Sequence, residues 1–250
     1  MSDVRSFPDR RRHRSRRGFG RAIAAALVAA GTGVVGIARD ERDLRLVGDD
    51  LGEGFTPLAA DATGEALAEN VIREHRPGLL VLNAGAAPHM APVHEQTWET
   101  FSRNWHTDTR HVFAWTRAAL LAPLAPGSVV IGMSSGAALG GSPLSGGYAS
   151  AKAAIRFIRN YAADEAKRAG SGIRFVTLFP SLTPATDMGR LAVAGYAARQ
   201  GVTPEAFTEG MQPLLTPDQV AKAVVDIAGD PGSASEYLVS GAGARPVGRS

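Results

Sequence analysis

Four stretches of this chain are apolar without the in-out alternation of a half-buried strand: Val34-Val35-Gly36-Ile37-Ala38, Leu79-Leu80-Val81-Leu82-Asn83, Val129-Val130-Ile131-Gly132-Met133 and Ile173-Arg174-Phe175-Val176-Thr177-Leu178. A strand of that kind is covered on both faces, which is the situation of a parallel sheet sandwiched between helices. Helix-period segments fall between them, at 18–30, 41–47, 64–74, 97–121, 148–168 and 217–227, with shorter strand signals at 55–59 and 237–240. Alternation of strand and helix with connections too long for hairpins predicts an α/β fold built on a parallel sheet. At 250 residues and 44% hydrophobic content the chain can bury one substantial core as a single domain.

Absence of cysteine excludes disulfides, thiolate metal sites and a cysteine nucleophile. The six histidines show no metal-ligand spacing, and His106 and His111, five apart on a helix, read as two surface positions. Charge is unevenly placed. Eight of the 27 basic residues but two of the 24 acidic ones lie in residues 1–22, so the remainder carries 19 basic against 22 acidic residues. The basic pI of about 9.6 therefore reflects an arginine-rich arm, and a nucleic-acid reading would rest on that arm alone.

Within Gly146-Gly147-Tyr148-Ala149-Ser150-Ala151-Lys152, the tyrosine and lysine are four apart, which on a helix puts both on one face. A lysine cation beside a phenol favours the phenolate, the device required to move a proton on or off a carbonyl or alcohol oxygen. Lys152 is one of only three lysines against 24 arginines, so its presence runs against a strong compositional bias. Ser135 lies thirteen residues upstream of Tyr148, at the end of an apolar run.

This Ser…Tyr-x-x-x-Lys order resembles the short-chain dehydrogenase/reductase family, and the similarity runs from about Gly18 to Val247. Asp61-Ala62-Thr63, Asn83-Ala84-Gly85, Ser134-Ser135, Tyr148…Lys152 and Pro180 followed by Thr186 stand in family order. The resemblance implies a Rossmann-type doubly wound parallel sheet and an oxidoreductase that interconverts an alcohol and a carbonyl by hydride transfer. It implies Tyr148 as the acid in reduction and base in oxidation, and Lys152 as its partner and the holder of the nicotinamide ribose. Ser135, preferred over Ser134 by the interval to the tyrosine, would hydrogen-bond the substrate oxygen.

The family's asparagine on the long middle helix aligns with Asp108, a carboxylate that accepts but cannot donate and whose charge would oppose Lys152. On the cofactor side, the resemblance assigns Gly18 and Gly20 to the phosphate turn and Asp61 with Ala62 to the adenine. Asn83, Ala84 and Gly85 would form the cofactor floor, and Pro180 and Thr186 would lie by the carboxamide. Where an acidic residue would select NAD, the chain has Ala38 and then Arg39, suited to a 2′-phosphate, so NADP is expected rather than NAD. The partners implied are a small alcohol or carbonyl and further copies of the chain, as a homodimer or homotetramer, with no nucleic acid and no membrane.

One departure stands out. The family pattern T-G-x-x-x-G-x-G ends on Gly18-Phe19-Gly20, but its first glycine falls at Arg14 and its threonine at His13. The preceding central strand is replaced by Pro8-Asp9-Arg10-Arg11-Arg12-His13, and burying those guanidinium groups unpaired would cost several kcal/mol each. A frame or start error upstream of Gly18 would explain both anomalies. Arg12-His13-Arg14-Ser15 can be written CGT-CAC-CGG-AGC, and one base later this reads Val-Thr-Gly-Ala. Residues 1–17 are accordingly taken as a basic arm and 18–250 as the domain, with a substrate lid over 181–215. Met188, Leu191, Tyr196, Phe207 and Met211 supply that lid with apolar material. Ser15-Arg16-Arg17 ahead of Ala22–Ala30 also looks like a twin-arginine export signal. The apolar stretch reads better as the fold's first helix, which leaves a cytoplasmic protein. The runner-up function is a catalytically silent relative acting as a binding or scaffold subunit, permitted by the damaged phosphate turn and by Asp108.

Overall fold

A computed structural model describes residues 18–122 and 124–248; the arginine-rich arm, with the altered phosphate-turn positions, lies outside the described residues. The strands are β1 (Val34–Ala38), β2 (Phe55–Ala59), β3 (Leu79–Leu82), β4 (Val129–Met133), β5 (Arg174–Pro180), β6 (Glu236–Ser240) and β7 (Gly243–Pro246). The first five correspond to the sequence reading, and β6 falls at 237–240 with one residue added. The terminal β7, which pairs antiparallel with β6, was not expected, because Gly-Ala-Arg-Pro carries no strand signal of its own.

Helices α1 (Phe19–Ala29), α2 (Glu41–Leu51) and α10 (Pro217–Gly229) cover one face; α3 (Glu65–His75), α5 (Arg110–Leu121) and α7 (Gly146–Arg168) cover the other. Successive residues of one strand feed opposite layers. Val130 joins Val112 of α5 and Ile155 of α7, whereas Ile131 joins Ile23 of α1 and Val224 of α10. That is the physical origin of the continuous apolar runs. Together with the parallel ladders, this is the doubly wound arrangement expected of the domain.

The sheet, however, is in two pieces. Among the described residues β1 pairs only with β2, while β3 to β7 form a separate five-stranded ladder. Every residue of β4 is buried, yet Val34, Val35 and Ile37 of β1 are only half-buried, as are Leu79 and Val81 of β3. β1 and β3 thus each present one ladder edge without a described partner, where the sequence lacks its central apolar strand.

The single helix read over 97–121 is interrupted. Thr97 caps α4 (Trp98–Asn104), a π-helical turn follows over Trp105–Thr109, and α5 begins at Arg110. A π turn adds one residue per turn and so rotates the side chains after it, and such turns mark functional positions. Asp108 stands in it. The segment 181–215, expected as the lid, contains α8 (Asp187–Gln200) and α9 (Pro204–Glu209), and a short α6 (Ala137–Gly140) follows β4.

Candidate active site

Tyr148 and Lys152 lie in the first two turns of α7, and the Lys152 ammonium sits 5.6 Å from the centre of the Tyr148 ring. Lys152 is only 5% exposed. Its Nζ donates to the Met133 carbonyl at the end of β4 (2.9 Å) and lies 3.1 Å from Asp108 Oδ2. No hydrogen-bond geometry accompanies the second contact, so the pair is held by charge. The other carboxylate oxygen, Oδ1, accepts from the Ala86 amide (2.8 Å) and from Asn104 Nδ2 (3.4 Å), and Asn104 also donates to the Ala86 carbonyl (2.8 Å).

Asp108 thus stands where its charge meets that of Lys152: its wholly buried carboxylate, in the π turn, lies between the lysine and the backbone after β3. A Cβ on Gly85 would stand 2.8 Å from Asp108 Oδ2, so the glycine is required by this close approach.

The two serines separate by partner. Ser134 is buried and its hydroxyl donates to the Lys152 backbone carbonyl (2.7 Å), which ties β4 to α7. Ser135 is half-buried, and among the described residues its Oγ accepts only the Ala137 amide at 3.2 Å. Its remaining hydrogen-bond capacity is open to a ligand oxygen.

His111 is the residue that sequence reasoning placed wrongly. It is 4% exposed, not a surface position, because the π turn brings it onto the inner face of α5. Its ring lies edge-on to Trp115, whose Nε1 donates to the Ala62 carbonyl (2.8 Å). Trp115 thus ties α5 to the loop at Ala62 that the resemblance assigns to the adenine. Burial foremost, then the Lys152 cation, pushes His111 down to about 4, against the opposing pull of Asp108, the Ala84 backbone and Asp61.

On the cofactor side, Gly18 caps α1 with no side-chain bond, and among the described residues the first-turn amides of that helix have no partner, an arrangement suited to an anion. Gly20 lies against Asn83, where a Cβ would sit 2.8 Å from Nδ2. Arg39 is exposed after β1; the neighbouring Asp40 spends its carboxylate on capping α2 through the Asp43 amide (2.9 Å). Asp61 is exposed and takes the Thr63 amide (3.0 Å) and hydroxyl (2.9 Å), which together with Arg39 and Arg110 hold its carboxyl below the usual range. The cap of α3 is Gly64, so Asp61 makes a turn rather than a helix cap. Pro180 ends β5, and Thr186 caps α8 by accepting the Gly189 amide (3.0 Å). The donors present fit a dinucleotide: free helix-start amides, a guanidinium at the end of β1 and glycines where backbone must come close. The first glycine and threonine of that turn fall at residues outside the description.

The chain matches the short chain dehydrogenase family over residues 15–196. It belongs to the short-chain dehydrogenase/reductase family. Members act by NAD(P)-linked hydride transfer, and the Ser, Tyr and Lys found here are of the type that chemistry uses. The chain is similar to the NADP-dependent 3-hydroxy acid dehydrogenase YdfG of Salmonella typhi, 28% identical over 221 residues that cover 83% of each chain. A probable NADP-dependent dehydrogenase of Haemophilus influenzae is 31% identical over 205 residues, 75% of this chain and 79% of that one. In fold it resembles an NAD+-bound xylitol dehydrogenase (TM-score 0.77, 19% identity, covering 89% and 94% of the two chains). A Brucella melitensis short-chain dehydrogenase/reductase is also similar (TM-score 0.74, 22% identity, 90% and 91%).

Proposed function

We propose that this short-chain dehydrogenase/reductase is NADP-dependent and interconverts an alcohol and a carbonyl, with Tyr148 moving the proton. The observation that carries the reading is the placement of Lys152, buried and pinned between the Met133 carbonyl, Asp108 and the Tyr148 ring. A cation held beside the phenol stabilises phenolate as the proton leaves. Ser135, with open hydrogen-bond capacity, holds the substrate oxygen and the charge that develops there. Asp108 anchors Lys152 and the Ala86 backbone, and so acts through its neighbours. The bound dinucleotide supplies or accepts the hydride.

Preference for NADP rests on Arg39, exposed at the end of β1, a guanidinium suited to a 2′-phosphate, while Asp40 commits one carboxylate oxygen to the cap of α2. Relatives named as NADP-dependent point the same way. Side-by-side fluorescence titration with NADPH and NADH tests this. NADPH should bind at least roughly tenfold tighter, the worth of one charge-assisted hydrogen bond; tighter NADH binding overturns the assignment. Turnover is then sought with a panel of 3-hydroxy acids and simple secondary alcohols, the first class suggested by the Salmonella relative.

One observation favours the silent-subunit alternative: among the described residues β1 and β3 each have one ladder edge without a partner. Absence of NADPH binding to folded protein would select it. We also propose self-association through α4, α5 and α7, which expose Trp98, Phe113, Phe157 and Tyr161. Among the described residues no helix is long and apolar enough to cross a membrane. The stretch after the twin arginines is α1, packed on α10, which supports a cytoplasmic protein over an exported one.

A further inference from the structure

Four helices of this chain, α4, α8, α9 and α10, start on a threonine whose hydroxyl accepts the backbone amide three residues on. Helix α7 starts on Ser145 and makes no such bond. The amide left without a cap is that of Tyr148, which has no acceptor within the helix either. Ser145 is buried, and its hydroxyl is engaged elsewhere. It donates to Ser142 Oγ (2.7 Å) and lies 3.3 Å from the Tyr196 hydroxyl, which itself makes a short hydrogen bond to Ser142.

Tyr196 belongs to lid helix α8. Its ring stacks on Phe207 of α9 (centroids 6.2 Å apart, planes at 19°). One residue earlier, Gly195 lies so close to Met90 that a Cβ would stand 3.0 Å from its terminal methyl, with Leu144 nearby at 3.7 Å. The lid is therefore seated on the loop leading into α7, and three hydroxyls form the polar part of that seat.

We propose that Tyr196 is a positioning residue that couples the lid to Tyr148 by helping to keep the Ser145 side chain turned away from the Tyr148 amide. With the lid seated, Tyr196 and Ser142 hold the Ser145 Oγ on the lid side and the Tyr148 turn stays uncapped. With the lid lifted, Ser145 keeps only Ser142 of its own loop, and its side chain turns over more of the time to accept the Tyr148 amide as the threonines accept theirs. Lid state and the backbone of the proton-transferring residue are then linked by one two-state hydroxyl. The significance of the link for turnover rests on the oxidoreductase reading; the link itself does not.

Residue-resolved amide exchange on the full chain tests it in the absence of any ligand. Tyr196→Phe keeps the ring stacking and removes the hydroxyl. Exchange in α8 should quicken roughly three- to tenfold for the lost hydrogen bonds, while the Tyr148 amide should slow roughly fivefold as the cap forms. Ser142→Ala should act in the same two directions, and Ser145→Ala should quicken α8 without slowing Tyr148. A contact that is only structural would loosen both segments together. A Tyr148 amide that exchanges at the same rate or faster in Tyr196→Phe overturns the proposal. A kinetic arm with NADPH and ethyl acetoacetate as carbonyl probe should show KM raised more than kcat is lowered in Tyr196→Phe. No turnover by the parent chain would count against the oxidoreductase reading and leave the exchange result standing.

Discussion

Replacing Asp108 by asparagine and Lys152 by methionine, singly and together, asks whether the buried pair is an energetic unit. Asp108 is fully buried and Lys152 is 5% exposed, with 3.1 Å between their charged atoms. Removing one member of such a pair strands the other charge, at a cost of about 3–5 kcal/mol. Asp108→Asn keeps an oxygen for the Ala86 amide but leaves the ammonium with only the Met133 carbonyl, so about 3 kcal/mol is expected. Lys152→Met leaves a carboxylate that still accepts from Ala86 and Asn104, again near the lower end of that range. The double variant has no stranded charge and should return to within about 1 kcal/mol of the parent, a coupling of several kcal/mol where independent sites would simply add. In a chain of this size each kcal/mol moves the melting temperature by about 2–4 °C, so each single change should lower it by roughly 6–12 °C and the double change should restore most of it. Thermal melts confirmed by urea unfolding provide the measurement. Single losses that add to within about 0.5 kcal/mol in the double variant would refute the claim that Asp108 is the counter-charge of Lys152.

Tyr148→Phe should reduce turnover by several orders of magnitude while NADPH titration stays nearly unchanged, since only the phenol proton is removed; activity within a few-fold of the parent would dismiss it as the acid/base. Arg39→Asp should reverse the NADPH-to-NADH preference, because a phosphate partner becomes a repulsive carboxylate, and an unchanged ratio would assign Arg39 to the surface. His111, held down to about 4 by burial, binds a proton more readily in the unfolded chain. Stability should therefore fall as pH drops from about 6.5 towards 4, by about 3 kcal/mol in all. His111→Phe should remove that part of the slope when unfolding is compared at pH 7 and 4.5, and identical slopes would count against the assignment. Rebuilding residues 8–17 as an apolar strand followed by Thr-Gly-Ala-Ser-Arg should pair the open edges of β1 and β3. Several ladder bonds at about 1 kcal/mol each imply a melting temperature higher by roughly 10 °C, with tighter NADPH binding; equal values for both forms would retire the frame-error account.

Much of this molecule is legible in one dimension because the deciding relations are local. Buried strands announce themselves as continuous apolar runs, and the helix starts read at 97 and 217 stand within a residue of α4 and α10. The four-residue interval places Tyr148 and Lys152 on one helical face without reference to the rest of the fold. The arginine run before Gly18 pointed to an interruption of the sheet, and among the described residues the ladder divides between β1 and β3. Contacts across long separations were not legible. Asp108 read as a charge opposing Lys152, but the buried 3.1 Å pair across 44 residues, set in a π turn with no residue signature of its own, did not show in the sequence. The same turn took His111 from an assumed surface to the interior. The interval to Tyr148 favoured Ser135 over Ser134, but that Ser134 is tied up depends on α7 presenting the Lys152 carbonyl to it. Tyr196 read as lid packing, and its hydroxyl acquires meaning only where Ser142 and Ser145, more than fifty residues earlier, are folded against it. Residue type and short spacing determine which elements form and which chemistry they carry, whereas the partner of each buried polar group is settled by the tertiary packing that removes water from it.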